Sequence, residues 1–335
     1  EKALPVKLPE NIKDFKPKGR SPLEDVPEFV NTTCPKCGEP AKRDPDTMDT
    51  FVDSSWYYFR YTSPHETDLP FNPKPAEYWL PVDLYIGGVE HAILHLIYAR
   101  FFCKFLRDFG LAKLDEPFPR LLAQGMVTKD GAKMSKSKGN VVDPDDMINK
   151  YGADTLRLFI LFGAPPEKEF DWNEKGIEGC FRFLNRLWAF YEENLNLFQN
   201  KSEEKDDKQR KDPTSLQLRI KTHQTIKKVS EDIEKRFHFN TAISSLMELF
   251  NLMKRERNNL VKTLPGKESL KEAMEKLVVL LYPFAPHLCQ ELWQKMGHRD
   301  FLIQSPWPSF DPQLAKEEKA TIIIQINGKL RDKLE

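Results

Sequence analysis

The chain has 335 residues, enough for two or three domains with separate cores, and its 40% apolar and 30% charged content is that of a soluble globular protein. Lys+Arg and Asp+Glu both number 51, so the formal charge is zero and any basic footprint for nucleic acid must be local. No uncharged apolar run approaches the ~18 to 20 residues of a membrane span, no apolar region follows Glu1-Lys2-Ala3-Leu4-Pro5 as in a signal peptide, and five cysteines point to a reducing, cytoplasmic compartment instead of a disulfide framework.

Residues 1–33 are rich in proline and charge and lack periodicity, which predicts an extended connector. With no initiator methionine, the chain is expected to be a fragment or a processed piece. Cys34-Pro35-Lys36-Cys37-Gly38 is half of a zinc knuckle, but tetrahedral zinc needs four ligands and no second pair lies at a suitable spacing. Cys103, Cys180 and Cys289 stand in apolar settings and are expected in cores. A rudimentary, metal-free knuckle is the expectation, with zinc left open to ligands from elsewhere.

Asp49-Thr50-Phe51-Val52-Asp53-Ser54-Ser55-Trp56-Tyr57-Tyr58 reads as a strand running into a helix start, with Asp53 or Ser54 as the N-cap. Aromatic rings beside small hydroxyls suit an apolar pocket with a polar handle, or plain aromatic core. Val82–Ile86 predicts a short strand ending at Gly87-Gly88, and a helical pattern follows over Val89–Phe102. Strand, glycine turn and helix form one unit of a doubly wound α/β fold, where ligands sit at the carboxyl ends of strands. His91 and His95 are four apart and are expected on one helix face. Glu90 precedes the first of them, whereas the zincin pattern is His-Glu-x-x-His, and no third ligand suggests itself. These histidines are therefore expected to line a pocket or a core.

Leu121–Gln124 predicts a second strand, leading into Gly125-Met126-Val127-Thr128-Lys129-Asp130-Gly131-Ala132-Lys133-Met134-Ser135-Lys136-Ser137-Lys138-Gly139-Asn140. Four lysines separated by small residues and flanked by glycines can meet the spread charge of phosphates. A solvated basic loop is the plain alternative. It is not a Walker A loop, because Lys136 stands five residues after Gly131, where that pattern needs a second glycine. Asp143 is placed to cap a helix with Pro144 at its first position, and Tyr151–Phe159 continues in helical phase.

From about Asn173 the pattern changes to long amphipathic helices. Ala242, Ile243, Leu246, Met247, Phe250 and Met253 form one apolar stripe, and Leu270, Met274, Leu277, Val278 and Leu281 another, both expected as bundle core. Asn200–Lys208 reads as a charged linker. Residues 214–262 carry ten Lys/Arg against five Asp/Glu, a local net of 10 − 5 = +5, which suits an RNA contact or a solvated face. Thr321–Lys329 predicts a strand and an Asn-Gly turn, with a further small domain expected to continue.

Lys133-Met134-Ser135-Lys136-Ser137 resembles the signature loop of class I aminoacyl-tRNA synthetases. Together with residues 49–58, Gly87-Gly88-Val89-Glu90-His91-Ala92-Ile93-Leu94-His95-Leu96 and Gln124-Gly125-Met126, it is similar to the C-terminal portion of bacterial-type leucyl-tRNA synthetases over nearly the whole chain. The resemblance implies part of a Rossmann-like α/β catalytic domain followed by an α-helical bundle that docks on tRNA(Leu), and an N-terminal catalytic and editing half as partner. Residues 1–50 would be the connector from the editing domain, 51–172 the catalytic part, 173–312 the bundle, and 313–335 the start of a C-terminal domain. The implied activity is ATP-dependent formation of leucyl-adenylate and transfer to tRNA(Leu), with Mg2+ accompanying ATP. Lys133 and Lys136 would be catalytic, stabilising charge on the triphosphate. Gly87, Gly88, Glu90, Gln124, Met126, Val127, Met134, Ser135 and Ser137 would join them in holding ATP. Phe51, Ser54, Tyr57, His91 and His95 would line the leucine pocket. Such pockets separate near-isosteric amino acids by only ~10- to 200-fold, which is why these enzymes edit. The His-Ile-Gly-His-type motif and the editing domain are absent from the sequence, so the chain alone is expected not to adenylate leucine. The alternatives are a Val/Ile/Met-type synthetase and a non-catalytic tRNA-binding fragment.

Overall fold

The computed structural model describes residues 6–10, 12, 19–199, 212–316, 322–326 and 329–334. The charged linker expected at 200–208 and the Asn327-Gly328 turn lie outside them. The chain divides into two compact units, 1–85 with 90–121 and 86–89 with 122–335.

In the first unit a four-residue helix, α1 (Pro27–Val30), leads into a small antiparallel hairpin of β1 (Asn31–Thr33) and β2 (Pro40–Lys42). Cys34 and Cys37 stand in the tight turn between them, which is closed by the Cys34 amide on Glu39 O and the Gly38 amide on Cys34 O. The strand expected before Trp56 does not form. Two short helices occupy that stretch instead, α2 (Phe51–Ser54) and α3 (Tyr57–Tyr61). Local hydrogen bonds explain the difference. The Asp49 carboxylate accepts the Phe51 amide, Ser54 donates to Thr50 O, and Ser55 donates to Val52 O. Hydroxyls reaching back three or four residues close helical turns and compete with a strand. Neither Asp53 nor Ser54 caps a helix.

Next come α4 (Pro73–Trp79), capped by Asn72 with Pro73 at its first position, and β3 (Tyr85–Gly88), three residues later than the strand expected from Val82. The helical pattern after β3 is split. Val89–Ile93 winds as a 3-10 turn, Leu94 breaks the phase, and α5 (His95–Asp108) then runs for 14 residues. His91 and His95 therefore do not share one α-helical face. The core of this unit is Tyr58, Phe59, Phe71, Ala76, Leu80, Ala99, Cys103 and Leu106, each buried, with the Tyr58 hydroxyl donating to Ala99 O at 3.1 Å. Burying such a side chain stabilises by about 1.5–3 kcal/mol.

In the second unit β4 (Leu121–Gln124) pairs with β3. A three-stranded sheet follows, built from β5 (Val127–Lys129), β6 (Ala132–Lys133) and β7 (Phe170–Asp171) in the order β6-β5-β7. The β5–β6 pair is an antiparallel hairpin, with Thr128 opposite Lys133 and Lys129 opposite Ala132. Its corner, Asp130-Gly131, has φ of +56° and +70°, the mirror-image turn that matches strand twist and that Asp-Gly favours. Thus the predicted lysine loop begins as a hairpin. Asp143 caps α6 (Pro144–Tyr151), accepting from the Asp145 amide as expected. The phase expected to continue across Tyr151–Phe159 is interrupted at Gly152, φ +85°, and α7 (Ala153–Gly163) is a separate helix.

Asn173 then caps α8 (Glu174–Asn194), accepting from the Gly176 amide. After α9 (Asn196–Gln199), the helices α10 (Pro213–Glu231), α11 (Phe239–Leu260) and α12 (Leu264–Leu281) pack on one another, and α13 (Pro286–Lys295) packs on α12 and α8. Both predicted stripes are core, apart from a half-buried Met247. Cys180 and Cys289 lie in this core and Cys103 in the other, as expected. At the far end β8 (Ile322–Ile326) pairs antiparallel with β9 (Lys329–Leu334). No described helix is long and apolar enough to cross a membrane.

Candidate active site

Two groups of predicted residues are assembled, one in each unit. In the first, Phe51 lies 6.2 Å from the His91 ring, 6.4 Å from His95 and 6.2 Å from Tyr98, and Tyr57 lies 6.0 Å from His95. Although their helix is broken between them, the two imidazoles stand edge to face at 6.3 Å. Ser54 is exposed and bonds its own helix at Thr50, so it adds no side chain to the rings.

Tyr85, which sequence reasoning treated only as a strand residue, is the hub of this cluster. Its hydroxyl lies 2.7 Å from His95 Nε2 and accepts from the Tyr57 hydroxyl at 3.0 Å. With Tyr57 donating to it, Tyr85 is left to donate to Nε2, which requires a neutral His95. Burial, then the neighbouring His91, pushes the His95 pKa down. Burial, then the bond from Tyr57, pushes the Tyr85 hydroxyl well above the ordinary tyrosine value. Both shifts keep the Tyr85–His95 pair uncharged. Phe118 stacks on Tyr85 at 3.8 Å and fixes the ring. His91 Nδ1 is buried and has no hydrogen-bond partner. A buried unpaired nitrogen is costly unless something fills its bond, so the ring cluster has a polar position to offer at His91. The signal for Tyr85 was its place directly before Ile86-Gly87-Gly88, within the strand predicted over Val82–Ile86.

The second group belongs to the other unit, except for Glu90, which is in the first. Gly87 and Gly88 are half-buried in β3, beside the strand that ends at an exposed Gln124. Glu90 is exposed on the 3-10 turn. Gly125 has no room for a side chain, because a Cβ there would meet Lys168 O at 2.1 Å. That close approach lets the Gly125 amide donate to Pro166 O at 2.8 Å and the Phe170 amide to Met126 O at 3.0 Å. Asp171 holds the hairpin, accepting from the Thr128 hydroxyl at 2.8 Å and the Gly131 amide at 3.2 Å. Val127 and Met134 are half-buried against the helical core and anchor the two ends of the segment. Lys133 and Ser137 are exposed, Ser135 is half-buried, and the backbone at Lys136–Lys138 winds as a 3-10 turn. The loop therefore offers cationic side chains from a well-anchored base.

The knuckle places two cysteines in one tight turn. Amide donors from Cys37, then Lys36, hold the Cys34 thiol below its usual pKa. Two thiols are half of a tetrahedral set, however, and no group of three or more His, Cys, Asp or Glu suited to a metal occurs among the described residues. The same holds for His91 and His95.

Residues 23–173 match the sequence model of tRNA synthetases class I (I, L, M and V), and residues 217–335 match that of the anticodon-binding domain of tRNA ligase. The leucine–tRNA ligases of Fervidobacterium nodosum and Thermotoga maritima are each 53% identical to the chain over 334 residues. The chain spans about 40% of the length of these curated relatives. The LeuRS of Agrobacterium radiobacter K84, solved as a ternary complex with tRNA and LeuAMS, superposes with a TM-score of 0.77 at 38% identity, over 99% of this chain and 41% of that one. The methionyl-tRNA synthetase of Mycobacterium tuberculosis shares the fold at a TM-score of 0.55 and 18% identity, over 78% of this chain and 51% of its own. Two family domains in order, and relatives of one kind matched from end to end, lead to one conclusion: the chain carries class I tRNA synthetase and anticodon-binding sequence and is similar along its length to the corresponding part of leucine–tRNA ligases.

Proposed function

We propose that this chain is the C-terminal catalytic portion of a leucine–tRNA ligase. Residues 51–172 form its part of the catalytic domain, 173–312 the tRNA-docking bundle, 1–50 the connector from an editing domain, and 313–335 the start of a further domain. The observation that carries the leucine assignment is the ring cluster of Phe51, Tyr57, Tyr85, His91 and His95, with an uncharged Tyr85–His95 pair and an unpartnered His91 Nδ1. A site walled by these rings would suit an aliphatic side chain and would reject charged ones by desolvation cost. Ser54 would contribute at the mouth of this pocket.

In the reaction, a leucine carboxylate oxygen attacks the α-phosphorus of ATP. The new oxygen–phosphorus bond forms as the bond to the β-phosphate bridge breaks, and pyrophosphate leaves with its Mg2+. Lys133 and Lys136 neutralise the charge that develops on the leaving group, which is where catalysis of phosphoryl-centre displacement chiefly acts. Gly87, Gly88, Glu90 and Gln124 hold the adenosine part, and Met126, Val127, Met134, Ser135 and Ser137 shape the loop around the phosphates. A terminal tRNA hydroxyl then attacks the leucyl carbonyl and AMP departs. The +5 segment at 214–262 provides a basic helical surface for the tRNA body. Five free thiols are consistent with a cytoplasmic setting.

The test is leucine-dependent ATP–pyrophosphate exchange by this chain, alone and mixed with an N-terminal portion carrying the His-Ile-Gly-His-type motif. Exchange in the mixture with leucine, and at least tenfold less with valine, isoleucine or methionine, is the expected result. Exchange by the chain alone, or preference for another amino acid, overturns the reading.

A further inference from the structure

Asn140 lies outside the Lys-Met-Ser-Lys-Ser string, yet it makes the bonds that close the loop. It is half-buried, and its Oδ1 accepts the Ser135 amide at 2.9 Å. Its Nδ2 faces three carbonyls, Lys133 O at 3.3 Å, Lys129 O at 3.4 Å and Ala132 O at 3.5 Å. Those carbonyls span both strands of the hairpin, on Lys129 of β5 and on Ala132 and Lys133 of β6. A carboxamide carries an acceptor and a two-hydrogen donor on one planar group, so a single side chain can serve the loop and the hairpin together. Aspartate would keep the acceptor and set a negative charge against three carbonyl oxygens. Serine would be too short to reach both sets.

The Asn140–Ser135 bond closes a ring around Lys136, Ser137, Lys138 and Gly139. Inside it the Lys138 amide donates to Ser135 O at 3.1 Å, completing the 3-10 turn. The hairpin to which the ring is clipped is itself held by Asp171 on its other side. Lys133 is bonded through its own carbonyl to the Asn140 amide, and Lys136 directly follows the residue whose amide Asn140 accepts.

We propose that Asn140 is a positioning residue for adenylate formation: it clips the base of the lysine loop to the β5–β6 hairpin and so sets where Lys133 and Lys136 meet the triphosphate. This inference rests on the leucine-activating reading above. A charged group displaced by about 1 Å from its working position costs on the order of 100-fold in rate. Because the triphosphate is gone once adenylate has formed, the clip acts on the first half-reaction and not on the second.

The experiment compares Asn140→Ala with the unsubstituted chain, each assembled with the N-terminal portion. Pyrophosphate exchange gives kcat and KM for ATP and for leucine, and a single-turnover reaction follows transfer to tRNA from preformed leucyl-adenylate. The expected result, read well below the variant's thermal midpoint, is a loss of about 10- to 100-fold in kcat/KM for ATP, with leucine KM and transfer rate unchanged. Equal loss in exchange and transfer, or a lowered thermal midpoint that accounts for both, overturns the positioning role. Undiminished exchange by the variant overturns it as well. Failure of the unsubstituted assembly to exchange with leucine instead overturns the functional reading, whatever the variant does.

Discussion

Replacing Gly125 with alanine tests how the segment before the lysine loop is held. The new Cβ would stand 2.1 Å from Lys168 O, 2.3 Å from Lys168 C and 2.8 Å from Glu169 N. All three are backbone atoms, so no flexible side chain can swing away. Reaching an ordinary contact of 3.4 Å requires a retreat of 3.4 − 2.1 = 1.3 Å by one segment or the other. That movement breaks the Gly125–Pro166 bond of 2.8 Å and strains the neighbouring Phe170–Met126 bond of 3.0 Å. Overpacking costs about 1–3 kcal/mol and each bond about 0.5–1.5 kcal/mol, together roughly 2–6 kcal/mol. The opposing gain, from a less flexible unfolded chain, is only about 0.4–1 kcal/mol, so destabilisation wins. Hydrogen exchange read on peptides covering 124–133 and 165–172, alongside urea denaturation, measures the effect. The amides of Gly125 and Phe170 should lose protection while those of α12 keep theirs. Unchanged protection, with stability within about 0.5 kcal/mol of the parent, would refute the close-approach argument.

Three further outcomes are expected. Asp154 has an 11% exposed side chain and accepts from the Leu288 amide at 2.7 Å, His287 Nδ1 at 2.7 Å and the His287 amide at 3.4 Å, so it caps α13 from α7. Asp154→Ala should cost about 2–4 kcal/mol in denaturant unfolding, combining a lost cap with an unpaired buried amide; a change under about 0.5 kcal/mol would show the cap to be dispensable. Tyr85→Phe leaves the Tyr57 hydroxyl and His95 Nε2 without their shared partner. Leucine KM in the reconstituted enzyme should rise about tenfold, ~1.4 kcal/mol, with ATP KM constant; equal rises in both would place Tyr85 outside a leucine-specific role. The pH dependence follows from His95, whose folded pKa lies below its ordinary 6.5 through burial and His91. Between the folded and unfolded values the unfolded chain binds more protons, so stability rises with pH there and falls on acidification below about 6.5. His91, Tyr57 and Tyr85 are the titratable groups facing it. Leucine affinity measured from pH 7.5 to 5 should hold through 6.5 and decline only at lower pH, where His95 takes up a proton in the folded chain, and a decline centred at or above 6.5 would mean that burial does not hold His95 neutral.

Much was legible in the linear order of residues, because it depends on neighbours a few positions apart. The bundle stripes at Ala242–Met253 and Leu270–Leu281, the Asp143-Pro144 helix start and the strand at Leu121–Gln124 all follow from local periodicity or capping chemistry. The Lys-Met-Ser-Lys-Ser string could be noticed without a fold, although its lysines alone suit a solvated loop as well as phosphate and only its resemblance to a family signature favoured the second. The helices over Asp49–Tyr58 and the break at Leu94 are local features that periodicity overlooked, whereas the long-range pairings carry no local sign. Tertiary structure decided those pairings. Tyr85 meets Tyr57 and His95 across 28 and 10 residues, Asp154 meets His287 across 133, and Asp171 grips a hairpin 43 residues earlier. Such pairings are set by where the elements pack, and the hydroxyl, carboxylate or amide that completes each one carries no mark of its partner in the sequence around it.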